Sequence, residues 1–182
     1  MDEKQLTLGG IVVKTAVVHT LTYFVAGILA YNLFDYSARF AEYPLNALMR
    51  PTDELLVRAG LLFQPIRGVL FGLVFYLLRE VLFKQKNGWL VMWINLVVIG
   101  ILSTFAAAMG SIEGLVYSKL SILWGGQLEV LLQSLLLSLL TWYWVRNPQK
   151  RWLSWSLGIL CGLALLLTTF GVLAHLAGLP GA

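Results

Sequence analysis

The sequence predicts an all-α fold, a polytopic integral membrane helical bundle of about five transmembrane helices with an outer amphipathic helix. Three observations predict it. Hydrophobic residues make up 59% of the 182 and charged residues only 12%, with a mean hydropathy of +0.80, whereas soluble domains carry about 25% charged residues. A water-soluble domain of this length has too small a core to hide so much apolar surface. The apolar residues also fall in blocks near the length, about 20 residues, that a helix needs to cross roughly 30 Å of hydrocarbon. Finally, the blocks lack the short alternating pattern of β-barrel strands, about 10 residues each.

The whole chain, 1–182, reads as a single transmembrane domain. The first span, 11–34, follows the polar stretch Met1 to Gly10 without a small-residue cleavage site, so a retained helix is expected rather than a signal peptide. Thr15, His19, Thr22 and Ala26 share one of its faces at i, i+4, i+7 and i+11, which predicts contact with protein rather than lipid. His19 at mid-depth is either a proton relay or a hydrogen-bond partner of a threonine or another helix. Lys14 lies near enough to the helix end to snorkel.

The second span is expected over 65–83, because Pro65 suits the first turn of a helix. The alternative, Ala59 to Leu78, would carry Arg67 toward the middle of the membrane at high cost. The 30-residue connection from Asp35 to Gln64 is too apolar for a free loop. Within it, 52–63 reads as an outer amphipathic segment: Thr52 caps it after Pro51, Asp53 and Glu54 suit its first turn, and Leu55, Leu56, Ala59, Leu62 and Phe63 follow at helical spacing. The remaining spans are 89–109, 127–145 and 152–176. Trp142, Trp144, Trp152 and Trp155 gather at one end of the last two, as an interfacial belt does. Small residues at four-residue spacing (Ala26/Ala30, Gly68/Gly72, Gly110/Gly114, Gly158/Gly162) allow close helix approach, within the chain or between copies.

Basic residues set the expected orientation. With the N-terminus in the cytoplasm, that side holds Lys4, Lys14, Arg79, Lys84, Lys86, Arg146, Lys150 and Arg151 against Asp2, Glu3 and Glu80. The outer side holds Arg39, Arg50, Arg58, Arg67 and Lys119 against Asp35, Glu42, Asp53, Glu54, Glu113 and Glu129. Eight Lys and Arg inside against five outside fits the positive-inside rule and leaves the C-terminus outside. Compact length and short loops suit a bacterial cytoplasmic membrane. The lipid bilayer is the expected partner, together with other membrane subunits or a second copy. The net charge of +4 is spent on topology and anionic lipid rather than nucleic acid.

Motifs for zinc proteases, thiol redox centres, serine hydrolases and P-loops are absent. The single cysteine, Cys161, sits in an apolar run as a small packing residue, which leaves neither a disulfide nor a thiolate metal cluster. His19 and His175 fall at different depths, so haem is not expected, and neither a metal nor any other cofactor is.

What stands out is a convergence of polar groups on the outer half. Asn32, Asp35, Tyr36 and Arg39 end the first span and Gln64 and Arg67 open the second. Glu113, Tyr117 and Lys119 follow the third, and Gln127, Glu129 and Gln133 open the fourth. Glu129 and Gln133, spaced i, i+4, share a face. Arg67 in a first turn opposes the helix dipole and needs a carboxylate, so a mixed cluster of Asp35, Arg39, Arg67, Glu113 and Glu129 is expected. The candidate ligand-binding residues are Asp35, Arg39, Gln64, Arg67, Glu113, Tyr117, Glu129 and Gln133. The plain alternative is that these charges pin the outer loop to the helix ends. Gly110-Ser111-Ile112-Glu113-Gly114 reads as an anion nest, a re-entrant turn or an ordinary helix C-terminus.

Three functions fit: a subunit that binds or transports a ligand, ion or lipid; a structural or assembly subunit of a membrane complex; and an enzyme of lipid or isoprenoid chemistry with Glu113 or Glu129 as acid/base. The first leads, because separated segments deliver polar groups to one level. The third lacks a nucleophile or metal constellation.

Overall fold

A computed structural model describes residues 6–105, 108–117 and 124–179. All regular structure among the described residues is helical. Four helical runs are long and apolar enough to cross a membrane: Leu8–Leu33, Gly60–Leu77, Gly126–Arg146 and Arg151–Leu176.

Helix α1 (Leu8–Leu33) is the centre of the bundle and packs against α4 (Gln64–Leu77), α8 (Trp124–Arg146) and α9 (Arg151–Leu176). Thr7 starts it by accepting a hydrogen bond from Gly10 N at 3.2 Å. Its buried Thr15, Thr20 and Thr22 donate to Ile11 O, Ala16 O and His19 O, so these hydroxyls are satisfied inside the helix. The α4 backbone lies directly on α1. A Cβ added at Gly68 would stand 2.5 Å from Ala16 Cα, and one at Gly72 would stand 2.7 Å from Val12 Cα. The Gly68/Gly72 pair is therefore an intramolecular seam, whereas Gly158 and Gly162 of α9 face open space.

The second helical run begins earlier than Pro65. A 3-10 turn, Gly60–Phe63, feeds α4, and the run breaks at Leu78 before α5 (Arg79–Lys84). Two side chains account for the shift. Gln64 donates to Gly60 O at 3.0 Å and draws the 3-10 turn onto the helix, and Arg79 donates to Tyr76 O at 3.1 Å and closes its last turn.

The third apolar block is shorter than 89–109. Helix α6 (Gly88–Val97) passes into a π turn, Val98–Leu102, closed by Ser103 N to Val98 O at 2.8 Å. The β-branched run Val97-Val98-Ile99 followed by Gly100 weakens the helix where it stops. Ten α-helical residues and a five-residue π turn reach only about 22 Å.

The 52–63 segment is two turns rather than one amphipathic helix: α3 (Leu55–Arg58) and the 3-10 turn Gly60–Phe63, both against α9. Thr52 does not cap it. Glu54 occupies that position without a side-chain bond to the helix, because its carboxylate pairs with Arg50.

The bundle has two unlike ends. At one, Lys14 donates to Trp144 O at 3.3 Å and Arg146 donates to Gln85 O at 2.8 Å, while Arg146 also lies 4.6 Å from the Trp142 ring centroid. Both hydrophobic clusters lie toward this end, one around Ile11, Phe75, Phe83, Met92 and Val145 and the other around Val18, Leu137, Trp144 and Leu153. Among the described residues no comparable cluster lies at the other end, where α1 finishes and α4 and α8 begin, and cavities open there.

Two substitutions test the seam by thermal unfolding in detergent. Gly68→Ala is expected to cost about 1–3 kcal/mol, because the added carbon meets backbone that cannot yield. Gly158→Ala is expected to cost nothing, since its carbon meets open space.

Candidate functional site

The turn out of α1 builds the loosely filled end. Asp35 adopts φ 46°, in the left-handed region, and its carboxylate accepts from Ala38 N at 3.4 Å and from Ser37 Oγ at 3.0 Å. That turn folds α2 (Tyr36–Ala41) back across the bundle end. Tyr36 stacks on Phe40 at 5.3 Å and donates its hydroxyl to Glu129 Oε2 of α8 at 2.6 Å. Burial first, and then this hydrogen bond, push the Tyr36 phenol above its usual range, so it stays protonated and donates.

Behind this contact is a cavity of 320 Å³. Its polar lining comes from Tyr23 of α1, Tyr36 and Arg39 of α2, Arg67 of α4, and Gln127, Glu129 and Gln133 of α8. Phe40, Leu45, Met49, Met109 and Val130 supply the apolar wall. Gln127 donates to Met109 O at 3.1 Å and ties the 109–110 turn to α8, and Gly110, at φ 85°, leaves the room that the Gln127 side chain occupies.

Among the described residues Arg39 and Arg67 have no carboxylate within 4.0 Å, and the ion pairs are Arg50–Glu54, Arg79–Glu80 and Lys84–Glu80. The Arg67 guanidinium sits 5.8 Å from the Phe71 ring centroid instead. The expected mixed cluster is thus not formed. α2 brings Tyr36 to Glu129 first, and Arg39 and Arg67 line the same space without a charge partner.

Beneath Arg67 a second, smaller cavity of 90 Å³ reaches His19, Gln133 and Ser134 and is flanked by Gly100 and Ile101 of the π turn. His19 is 1% exposed. Gln64 gives its NH₂ to Gly60 O, so its carbonyl Oε1 faces His19 Nε2 at 3.2 Å and selects the tautomer that donates from Nε2. His19 Nδ1 is left without a protein partner. A third space, a cleft of 800 Å³, runs between α1, α3 and α9 and shares Tyr23, Tyr36, Phe40, Met49 and Glu129 with the first.

Of the residues expected from sequence, Arg39, Arg67, Glu129 and Gln133 meet around one cavity. Gln64 and His19 pair with each other below it. Asp35 caps α2 rather than facing the cavity. Glu113 and Tyr117 are exposed on α7 (Ile112–Tyr117) and line none of these spaces. The 110–114 stretch is neither nest nor helix end but a helix start, in which Ser111 Oγ accepts from Gly114 N at 2.9 Å and donates to Ala108 O at 2.7 Å. Lys119, like Asp2, Glu3 and Lys4, lies outside the described residues.

Tyr23, Tyr36, Phe40, Leu45, Met49, Met109, Gly126, Gln127 and Val130 line the cavity without having been candidates, although Tyr36 and Gln127 stood among the converging polar groups. For three of them a signal existed. Tyr23 lies one turn after His19 on α1, and Gly126 and Val130 share a helical face with Glu129 and Gln133. The pairing of Tyr36 with Glu129, 93 residues apart, carries no local signal. Among the described residues no group of three or more His, Cys, Asp or Glu side chains is placed to hold a metal ion. Comparisons with protein families, curated proteins and solved structures found no match for this chain.

The Tyr36–Glu129 contact is testable by a double-mutant cycle read as thermal unfolding. Tyr36→Phe is expected to cost about 1–3 kcal/mol, as the loss of a hydrogen bond to a charged group does. Combined with Glu129→Gln, the coupling should exceed about 0.5 kcal/mol; additivity would mean that the two groups do not meet.

Proposed function

We propose that this chain is a small membrane-integral subunit that binds, and in its cellular setting passes on, a polar or charged ligand through the cavity between α1, α2, α4 and α8. In this reading the four long helices cross the membrane and the shorter α6 reaches up from the cytoplasmic side, which gives five spans. The basic end, with Lys84, Arg146 and Lys150, faces the cytoplasm, and the cavity opens on the outer side.

One observation carries the reading: Arg39 and Arg67 line a 320 Å³ cavity with no ion pair among the described residues. Both arginines are exposed at the mouth of the cavity rather than buried, so their guanidinium groups are free to meet a ligand that brings the opposite charge. The surrounding hydrogen-bonding groups, Tyr23, Gln127 and Gln133, converge from separate helices, as polar groups do in ligand pockets.

A second reading, a structural or assembly subunit, is favoured by α9. Its apolar face, including Trp155, Ile159, Leu163, Leu167 and Phe170, is exposed along the helix, and Gly158 and Gly162 have nothing within 4 Å of an added Cβ. The two readings are compatible, since a partner on α9 would leave the α2–α8 cavity open.

The cavity reading is tested on a Cys161→Ser background with Gln133→Cys, Met109→Cys and, as cytoplasmic control, Lys84→Cys. Membrane-impermeant maleimide on intact cells is expected to label the first two and spare the control; labelling of the control alone would reverse the orientation. Arg67→Gln is expected to leave thermal stability unchanged, because an exposed arginine without an ion pair contributes little to the fold. A loss of several degrees would make Arg67 a structural group instead.

A further inference from the structure

We infer that the ligand is an amphiphile, with a monoanionic phosphodiester headgroup in the Arg39–Arg67 cavity and its hydrocarbon chain in the cleft beside α1. The inference rests on the binding reading above and gives it a chemical class.

Charge selects the headgroup. Two guanidinium groups and one carboxylate line the polar cavity, and the carboxylate is already engaged by Tyr36. The lining therefore carries one net positive charge, which a single negative charge on the ligand neutralises. Arginine donates as a planar fork that fits the paired oxygens of a phosphate. The two guanidinium groups come from different helices, so they can approach such a group from two sides. Tyr23 and Gln133 add neutral partners for headgroup hydroxyls.

Continuity selects the tail. The 320 Å³ polar cavity and the 800 Å³ cleft share five lining residues, so they adjoin along Tyr23, Tyr36 and Phe40. The cleft wall is predominantly apolar, with Phe24 and Ile28 from α1 and Leu56 and Val57 from α3. Ile28 and Leu56 are 47% and 49% exposed, so they offer apolar surface to an occupant. The charged cleft residues are engaged elsewhere: Arg50 pairs with Glu54 and Arg58 donates to Asp53 O at 2.9 Å. A soluble phosphodiester would fill only the polar cavity. An amphiphile fills both.

The test uses the full chain in nonionic detergent, with binding read by native mass spectrometry. The probes are phosphatidylglycerol, phosphatidylcholine and glycerophosphoglycerol, the last being the anionic headgroup without chains. Phosphatidylglycerol is expected to bind at least tenfold more tightly than either of the others. Arg67→Gln should weaken it by roughly tenfold, as loss of charge-assisted hydrogen bonds does, and Arg67→Lys should restore part of the loss. Val57→Trp, which fills the cleft, should weaken the lipid but not glycerophosphoglycerol. Ile28→Trp does the same from the opposite wall if the first variant fails to fold. Equal binding of glycerophosphoglycerol and lipid, unmoved by either tryptophan, overturns the amphiphile but leaves the polar-ligand reading standing. Equal binding of the two lipids, insensitive to Arg67→Gln, means annular lipid only and overturns the inference. No binding of any probe, together with a destabilised Arg67→Gln, sinks both readings.

Discussion

The bundle depends on how closely α4 can lie on α1. Gly68 and Gly72 present no side chain to Ala16 and Val12, and helix backbones meet there at a distance that any Cβ would prevent. Close packing of the two backbones supplies the attraction at this seam. Its consequence is positional. With Gly68 seated on Ala16, Gln64 one turn earlier meets His19, and Arg67 is carried to the edge of the space between α4 and α8. A bulkier residue at the seam would move both.

A gradient of packing follows along the bundle. Large apolar residues, Phe75, Phe83, Met92 and Trp144 among them, fill the basic end. Toward the other end α1 offers Ala26 and Ala30, α8 carries Gly126 and Gln127 in its first turn, and the π turn after α6 stops at Leu102. Small residues and a short helix cannot fill the volume between four long ones, so the helices enclose cavities there. The polar side chains at that end then face a shared space. The two ends thus divide the work: one holds the fold and the other holds open a lined space.

Pairing within that space is decided by reach. Tyr36 sits on a helix that the Asp35 turn aims at α8, so its hydroxyl meets Glu129 at 2.6 Å. Arg67 leans on Phe71, and among the described residues neither it nor Arg39 has a carboxylate within ion-pair distance. Electrostatic reasoning from sequence pairs Arg67 with a carboxylate, since charge in an apolar phase seeks its opposite. A phenol that arrives first satisfies the carboxylate without neutralising the arginine, and the arginine is left facing the cavity.

The sequence by itself determined an all-helical architecture built on apolar blocks, because block length and composition are local properties. It counted about five spans, and the structure holds four helical runs long enough to cross a membrane. The sequence also determined that Arg39, Arg67, Glu129 and Gln133 belong near one level, because each sits at the end of an apolar block. Boundaries were less legible: the 3-10 turn ahead of Gln64, the break at Leu78 and the π turn at Val98–Leu102 answer to side-chain bonds and neighbouring helices rather than to hydropathy. Only the tertiary structure decided which polar groups meet. Asp35 became a cap and Glu113 and Tyr117 stayed on the surface, while Tyr23 and Tyr36 entered the site, because the angle of one left-handed turn and the closeness of one glycine seam fix directions in space. The seam depends on contacts between residues far apart in the chain and the turn on one backbone angle at Asp35, and hydrophobic periodicity within a segment carries no record of either.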